Sequence, residues 1–314
     1  MEPKPTNQHY VPQFLLRNFG SGRGKQIFVF DKATGEIYQK PIKKVASGKG
    51  FYDCEVDGVP QSVDPLLTKM ESVSSRMISR IVTAHSLRVL SDTGRKMVAL
   101  FATVQMLRTD ARRKKLKGMI DDVYAAVKSM GRDPNKVEGF EFLNEEDTRA
   151  ASITSLRTLA ADLMPYFLNK SWILYSATQV HPFYISDNPV TRFNSNMHPF
   201  LSMLGLRALG MEIYLPLSSI LCLGFLCPTI ETTIRESYEL AGRLGHPVPP
   251  GLHEWITALD IGATVALDPS NVTHHNSLQV ASAERFVFSS NDDFSLAREM
   301  LRQLPELKGG PRYT

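Results

Sequence analysis

The side chains best suited to move a proton in this chain are His9 and Asp187. An imidazole titrates near neutral pH and can serve as general acid or base. Asp187 closes the run Phe183-Tyr-Ile-Ser-Asp187. A carboxylate at a strand end is well placed to orient an imidazole in a cleft or to bind a metal. These two are the candidate catalytic residues. Gln13, Gln105, Arg108, Arg112, Asn188 and Asn276 are candidate substrate-binding residues. Gln105, Arg108 and Arg112 stand at i, i+3 and i+7, so one helix running through them puts all three on one face. Two such arginines can clamp a phosphate or carboxylate. Each candidate also has a structural reading. His9 can tie an N-terminal arm to the core. Asp187-Asn-Pro189 is turn chemistry. Asn276, with Gln279 three residues on, can cap backbone groups.

Phosphodiester hydrolysis suits this set, because it needs positive charge and proton transfer. A nuclease-like hydrolase with His9 as acid or base is therefore one expectation. A non-catalytic protein that binds a nucleotide or nucleic acid is the second. A partner-binding protein with purely structural motifs is the third. Two-metal clamping normally takes several carboxylates, and here only Asp187 stands out. No zinc, calcium, dinucleotide or Walker-type motif occurs, so neither a metal nor a cofactor is expected. Arg112, Arg113, Lys114, Lys115 and Lys117 form a dense basic cluster. It is either a phosphate-binding surface or a solvated helix face. Aromatic residues do not interleave with it, so no base-stacking platform is signalled. The formal net charge of +4 permits a nucleic acid partner without requiring one.

The positioning elements follow from pattern. The chain has 314 residues, 43% hydrophobic and 22% charged. Pro12 can open a short helix that packs Phe14, Leu15 and Phe19 inward, with Gly20 to Gly24 ending it. Gln26–Asp31 and Glu36–Lys40 predict a hairpin turned at Lys32 to Gly35. A loop carrying Gly48, Gly50, Asp57 and Gly58 follows. Asp64 is expected to cap a helix with the apolar stripe Leu66, Met70, Val73, Met77 and Ile81. A second helix is expected from Ser91 through Lys117 and on to Met130. After a loop over Gly131–Gly139, a third is expected from Asn144 to Leu168. Strands are expected at Trp172–Ala177, Phe183–Ser186, Met211–Leu217 and Ile220–Leu226. Helices are expected at Thr229–Leu244, Gly251–Leu267 and Ser270–Ala283, then a strand at Arg285–Ser289 and a helix at Asp293–Leu304.

This order argues for an α+β fold: one domain over 1–314, with an N-terminal hairpin, central helices and a mixed or antiparallel sheet with further helices. Residues 1–60 and 170–314 would form a sheet-containing lobe and 61–169 a helical one. The three cysteines are expected to be buried thiols, which fits a reducing cytoplasm. The longest apolar run, Ile220 to Cys227, is far short of the roughly 20 residues of a membrane span, so no membrane association is expected.

The segment Asn7-Gln-His-Tyr-Val-Pro-Gln-Phe-Leu-Leu-Arg-Asn-Phe19 resembles the opening motif of a largely bacterial family, domain of unknown function 4238. Phe183-Tyr-Ile-Ser-Asp-Asn-Pro-Val190 is similar to that family's Ser-Asp-Asn-Pro segment. Looser matches are Gln105-Met-Leu-Arg-Thr109, Leu215-Pro-Leu-Ser218, Asn276 and Arg285-Phe-Val-Phe288. The resemblance spans roughly residues 7 to 290. It implies motif positions and no activity.

Overall fold

The structure, a computed structural model, describes residues 7–22, 25–56, 59–136, 145–194, 205–249 and 251–311. Gly24, Asp57, Gly58, Asn144 and residues 137–139 of the expected Gly131–Gly139 loop lie outside the described residues. The chain begins with strand β1 (Asn7–His9) and helix α1 (Gln13–Leu16), which Pro12 precedes with an extended backbone. The expected hairpin forms as β2 (Gln26–Asp31) and β3 (Ile37–Pro41). Gly35 supplies the left-handed residue of its turn, at φ +77°. Three short strands follow where a loop was expected: β4 (Ser47–Lys49), β5 (Asp53–Val56) and β6 (Val59–Ser62). β1 pairs with β4, and β5 with β6, both antiparallel.

Four helices come next: α2 (Asp64–Ala84), α3 (Asp92–Leu107), α4 (Asp110–Ser129) and α5 (Glu145–Leu168). Asp64 lies inside α2 and does not cap it. The buried positions of α2 are Leu67, Ser74, Ile78 and Ile81, while Leu66 is 57% exposed. Of the expected stripe, Ile81 is buried and Met70 and Met77 pack against the core, while Leu66 faces outward. The single long helix expected from Ser91 onward is two helices. Ser91 caps the first, as expected. The break comes at Arg108, because the Thr109 hydroxyl accepts from the Arg112 amide and starts α4 afresh. Arg112 consequently does not share a helix face with Gln105 and Arg108.

A five-stranded sheet has the order β12-β7-β11-β10-β9, and a four-stranded sheet has the order β3-β2-β13-β8. The strands are β7 (Ser171–Ser176), β8 (Ile185–Ser186), β9 (Thr191–Asn194), β10 (Met211–Ser218), β11 (Leu221–Leu226), β12 (Thr264–Ala266) and β13 (Phe286–Ser289). Pairing is antiparallel except for β12 against β7. Helices α6 (Pro228–Arg243), α7 (Leu252–Ile261), α8 (Pro269–Ser282) and α9 (Ser295–Gln303) surround them. The helix expected over Gly251–Leu267 stops at Ile261. Gly262 takes φ +68°, with Leu87 3.0 Å from where a Cβ would lie. The β-branched pair Thr264 and Val265 then enters the sheet. The fold is α+β.

The main core joins Val11, Leu15, Leu16 and Phe19 of the N-terminal motif to β10, β11 and α3. Asn18 reinforces this by donating to the Leu217 carbonyl (2.8 Å) and accepting from the Ser219 amide (3.1 Å). The motif is thus built into the second half of the chain. Leaving each such side chain in water would cost about 1.5–3 kcal/mol. Cys54, Cys222 and Cys227 are buried and unpaired. No helix among the described residues is long and apolar enough to cross a membrane.

His275 of α8 sits within an aromatic cage, its ring 4.4 Å from Tyr214, 5.2 Å from Tyr175 and 5.7 Å from Phe183. Burial, then the neighbouring His274, pushes its pKa down to about 4. The folded value lies below the unfolded value near 6.5, so the stabilising effect is complete above pH 6.5 and is lost as pH falls toward 4. Acidification across that window should remove up to about 3 kcal/mol of stability through this residue. Urea melts at pH 7 and pH 4.5 check it. His275→Phe should lose less stability on acidification than wild type; equal losses would clear His275 of the effect.

Candidate functional site

The N-terminal motif is fixed by a relay of buried polar groups. Gln8 is 3% exposed; its Oε1 accepts from the Tyr52 amide and its Nε2 donates to Asp53 Oδ1 at 2.9 Å. The Tyr10 carbonyl accepts from Gln105 Nε2 at 2.8 Å. Gln105 Oε1 accepts from Arg108 Nε at 2.8 Å, and Arg108 Nη1 meets Glu71 Oε1 at 2.6 Å. The Arg108 side chain has no exposure, whereas that of Glu71 retains 26%. α2 and α3 are thereby pinned to the strand that carries His9.

His9 lines a cleft of about 370 Å³ together with Gln13, Arg17, Asp64, Thr68 and Glu71. Burial holds the imidazole pKa below its usual value. A hydrogen bond that the ring donates to the Ile42 backbone carbonyl and the charge of Glu71 pull it back up, while Arg108 and Arg17 push it further down. Nε2 of His9 and Nη2 of Arg108 are buried with no hydrogen-bond partner among the described residues. Buried polar atoms almost always find a partner, so these two call for water or a ligand. With Nε2 unpartnered, Nδ1 is the ring nitrogen that faces Ile42. Nε2 of the neutral ring is then free to accept a proton.

The pairing expected between His9 and Asp187 is not formed. Asp187 is 3% exposed and its carboxylate is spent on backbone: Oδ1 accepts from the Glu284 amide, and Oδ2 from those of Arg285 and Phe286, each at 2.8 Å. Burial raises its pKa to about 6, against the three N–H donors and the charge of Lys32. The carboxylate form therefore prevails at neutral pH. The amides nearby are spent in the same way. Asn188 donates to the Ser282 carbonyl and accepts from the Thr109 hydroxyl, both at 2.9 Å. Asn276 accepts from the Tyr184 amide (2.7 Å) and donates to the Pro182 carbonyl (3.0 Å). Gln279 spans Ser186 and the Pro189 carbonyl. Together these side chains staple the 182–189 segment to α8 and β13.

The structure therefore brings His9, Gln13, Gln105 and Arg108 together and places Asp187, Asn188 and Asn276 in a separate clamp. Arg112 faces neither group; it lines a different cavity, beside Asn188. In the basic cluster, Arg113 donates to the Phe51 carbonyl at 2.8 Å and stacks 3.9 Å over the Phe51 ring. Lys114 bridges Asp110 (2.9 Å) and Glu284 (3.0 Å), and Lys117 pairs with Asp121. Arg113, Lys114 and Lys117 are thus engaged within the protein. Glu71 and Arg17 were missed in the sequence. Glu71 had a signal: it falls one turn after Leu67 on the buried face of α2, where a carboxylate needs a partner.

Another groove, of about 570 Å³, adjoins the His9 cleft and shares Phe14, Arg17 and Ser75 with it. Asn18, Ser79, Arg76 and Arg80 complete its lining. Arg76 and Arg80 are one turn apart on α2 and both exposed. No carboxylate lines this groove among the described residues.

No curated protein and no solved structure matches the chain. The model of a protein family described as "Protein of unknown function (DUF4238)" matches residues 7–293. That match takes in the His9 motif, both anchoring helices and the Asp187 clamp, and the chain belongs to the DUF4238 family.

Proposed function

We propose that this protein hydrolyses an anionic, phosphodiester-type substrate by proton transfer at His9. The observation that carries the reading is the state of that ring. Burial favours its neutral form, the ring lines an open cleft, and its buried Nε2 has no hydrogen-bond partner among the described residues. In the proposed reaction a water gives its proton to His9 Nε2 as its oxygen bonds to phosphorus. The P–O bond to the leaving group then breaks, and the protonated ring returns the proton to the departing oxygen. Arg108 and Arg17 supply positive charge beside the ring, where negative charge builds up in the transition state. Glu71 positions Arg108 through their ion pair. Arg17, Arg76 and Arg80 would hold the phosphates flanking the reacting one.

The rival is a non-catalytic nucleotide- or nucleic-acid-binding protein. What favours it is the commitment of Asp187 to backbone amides, which leaves His9 without the expected carboxylate partner. One comparison separates the two. Wild type, His9→Gln and the double variant Arg76→Gln/Arg80→Gln are assayed for turnover of bis(p-nitrophenyl) phosphate and for binding and cleavage of a short single-stranded oligonucleotide. On the hydrolase reading, His9→Gln loses turnover about 100- to 10,000-fold while oligonucleotide affinity stays within a few fold. The double variant weakens oligonucleotide binding and flattens its salt dependence. Turnover unchanged in His9→Gln would end the assignment. Binding that depends on Arg76 and Arg80, with no turnover by any variant, would install the rival.

A further inference from the structure

We propose that the enzyme works from a chain end: its substrate is a single-stranded nucleic acid, and the bond it cuts is the last phosphodiester, beyond which no further phosphate lies. This rests on the hydrolase reading above and names which bond of a strand reaches His9.

The charges along the His9 cleft and the adjoining groove are sorted by sign. α2 forms a wall of both. Asp64, Glu71 and Ser75 of that helix line the cleft, and Ser75, Arg76 and Arg80 line the groove. At 1.5 Å per residue, Asp64 stands about 10 Å before Glu71, with Arg76 and Arg80 about 8 and 14 Å after it. His9 faces the middle of this row. Of the charges that act on its ring, that of Glu71 comes first, followed by those of Arg108 and Arg17.

On one side of His9 the row is basic. Arg17 borders both cavities, and Arg76 and Arg80 follow it into the groove. Successive phosphates of a strand suit that side, since each guanidinium can offer paired N–H donors to one of them. Phe14 is half-buried and also borders both cavities, so it offers an aromatic surface to a base next to the reacting phosphate.

On the other side the row is acidic. Burial, then the charges of Glu71 and Asp53, raise the Asp64 pKa above its usual value, against the pull of Arg108. Arg108 pairs with Glu71 and not with Asp64. Lys49 stands opposite Asn7 in the β1–β4 pair and Lys69 lies on α2, but neither lines the cleft. A strand running through the cleft in both directions would have to lay a phosphate against Asp64. A strand that ends there lays only sugar, base and a terminal hydroxyl, whose hydrogen bond the Asp64 carboxylate can accept. Asp64 thus selects by repelling the wrong occupant as well as by holding the right one. Each turn consumes one water and shortens the strand by one unit, through the bond changes given above.

Three short single strands of one sequence test this with the full chain, each made as DNA and as RNA: linear with a hydroxyl at both ends, linear with a phosphate at both ends, and circular. Wild type should shorten the hydroxyl-ended strand one unit at a time, cut the phosphate-ended strand at least tenfold more slowly and leave the circle intact. Asp64→Asn should raise the ratio of the phosphate-ended to the hydroxyl-ended rate tenfold or more. Should that variant melt early, Thr68→Lys, which puts a cation at an exposed position of the same wall, takes its place with the same expected change. Bis(p-nitrophenyl) phosphate, which has no second phosphate, reports on the chemistry alone. The proposal is overturned if the circle is cut as fast as the hydroxyl-ended strand, if internal fragments precede single-unit products, if terminal phosphates leave the rate unchanged, or if the folded variants keep the wild-type ratio. It is also overturned if wild type turns over bis(p-nitrophenyl) phosphate and cuts no strand. In each of these cases the hydrolase reading stands as long as His9→Gln removes the turnover. Should His9→Gln turn over bis(p-nitrophenyl) phosphate as wild type does, the hydrolase reading falls and end selection falls with it.

Discussion

Asp187→Ala should lower the stability of the fold by about 3 kcal/mol or more, since it leaves three backbone N–H groups, one buried and two part-buried, without an acceptor at about 1–3 kcal/mol each. The loss should extend beyond those bonds. Lys32 has no exposure and donates to the Val280 (2.9 Å) and Ala283 (2.7 Å) carbonyls at the end of α8. The charge of Lys32 also acts on Asp187, so the substitution removes a carboxylate from its surroundings. Asp187→Asn should be only partly better, because an amide has one acceptor oxygen where two are used. Thermal and urea denaturation measure the effect. A melting temperature within two or three degrees of wild type would mean that the clamp contributes little. Turnover per folded molecule should be unchanged, and a selective loss of activity in a stable Asp187→Asn protein would return Asp187 to the reacting centre.

Glu71→Ala should cost about 3–5 kcal/mol for a different reason. It strands a fully buried guanidinium whose remaining anchor is Gln105 Oε1. The converse change, Arg108→Met, should cost less, because the Glu71 side chain keeps 26% of its exposure and can turn to water. The double variant Glu71→Gln/Arg108→Met should recover most of what Glu71→Ala loses, since no charge is then left buried. Equilibrium urea unfolding of the two singles and the double checks this. A double variant no more stable than Glu71→Ala would show that packing at this corner, and not charge, is what matters.

The parts of the fold legible in the sequence were those governed by side-chain pattern. The apolar runs of Gln26–Asp31, β10 and β11 mark strands wherever they lie. The apolar residues between Tyr10 and Phe19 required a core contact, and they have one. Less legible were features set by backbone. Nothing in the types of Asn7–His9 announces pairing with Ser47–Lys49. The break at Arg108 is marked only by the Thr109 cap, and it takes Arg112 off the face that Gln105 and Arg108 share. The site divides along the same line. His9, Gln105 and Arg108 meet because each abuts apolar residues that carry it to the core edge. Asp187 looked like their partner because its true partners are three peptide N–H groups, which every residue but proline possesses and no sequence displays.

β2 lies between β3, its hairpin neighbour, and β13, and the closing contact joins Asp31 to Arg285 across 254 positions of chain. On a ribosome adding roughly 5–20 residues per second, Ile27–Phe30 would wait some ten to fifty seconds for that strand to be made. Through that interval a hydrophobic strand edge stands open, which is the situation in which chains pair with the wrong neighbour. The nascent protein should therefore depend on chaperone shelter for its first half. Slow synthesis would lengthen the exposure, and loss of the last thirty residues would release chains whose N-terminal sheet can never close.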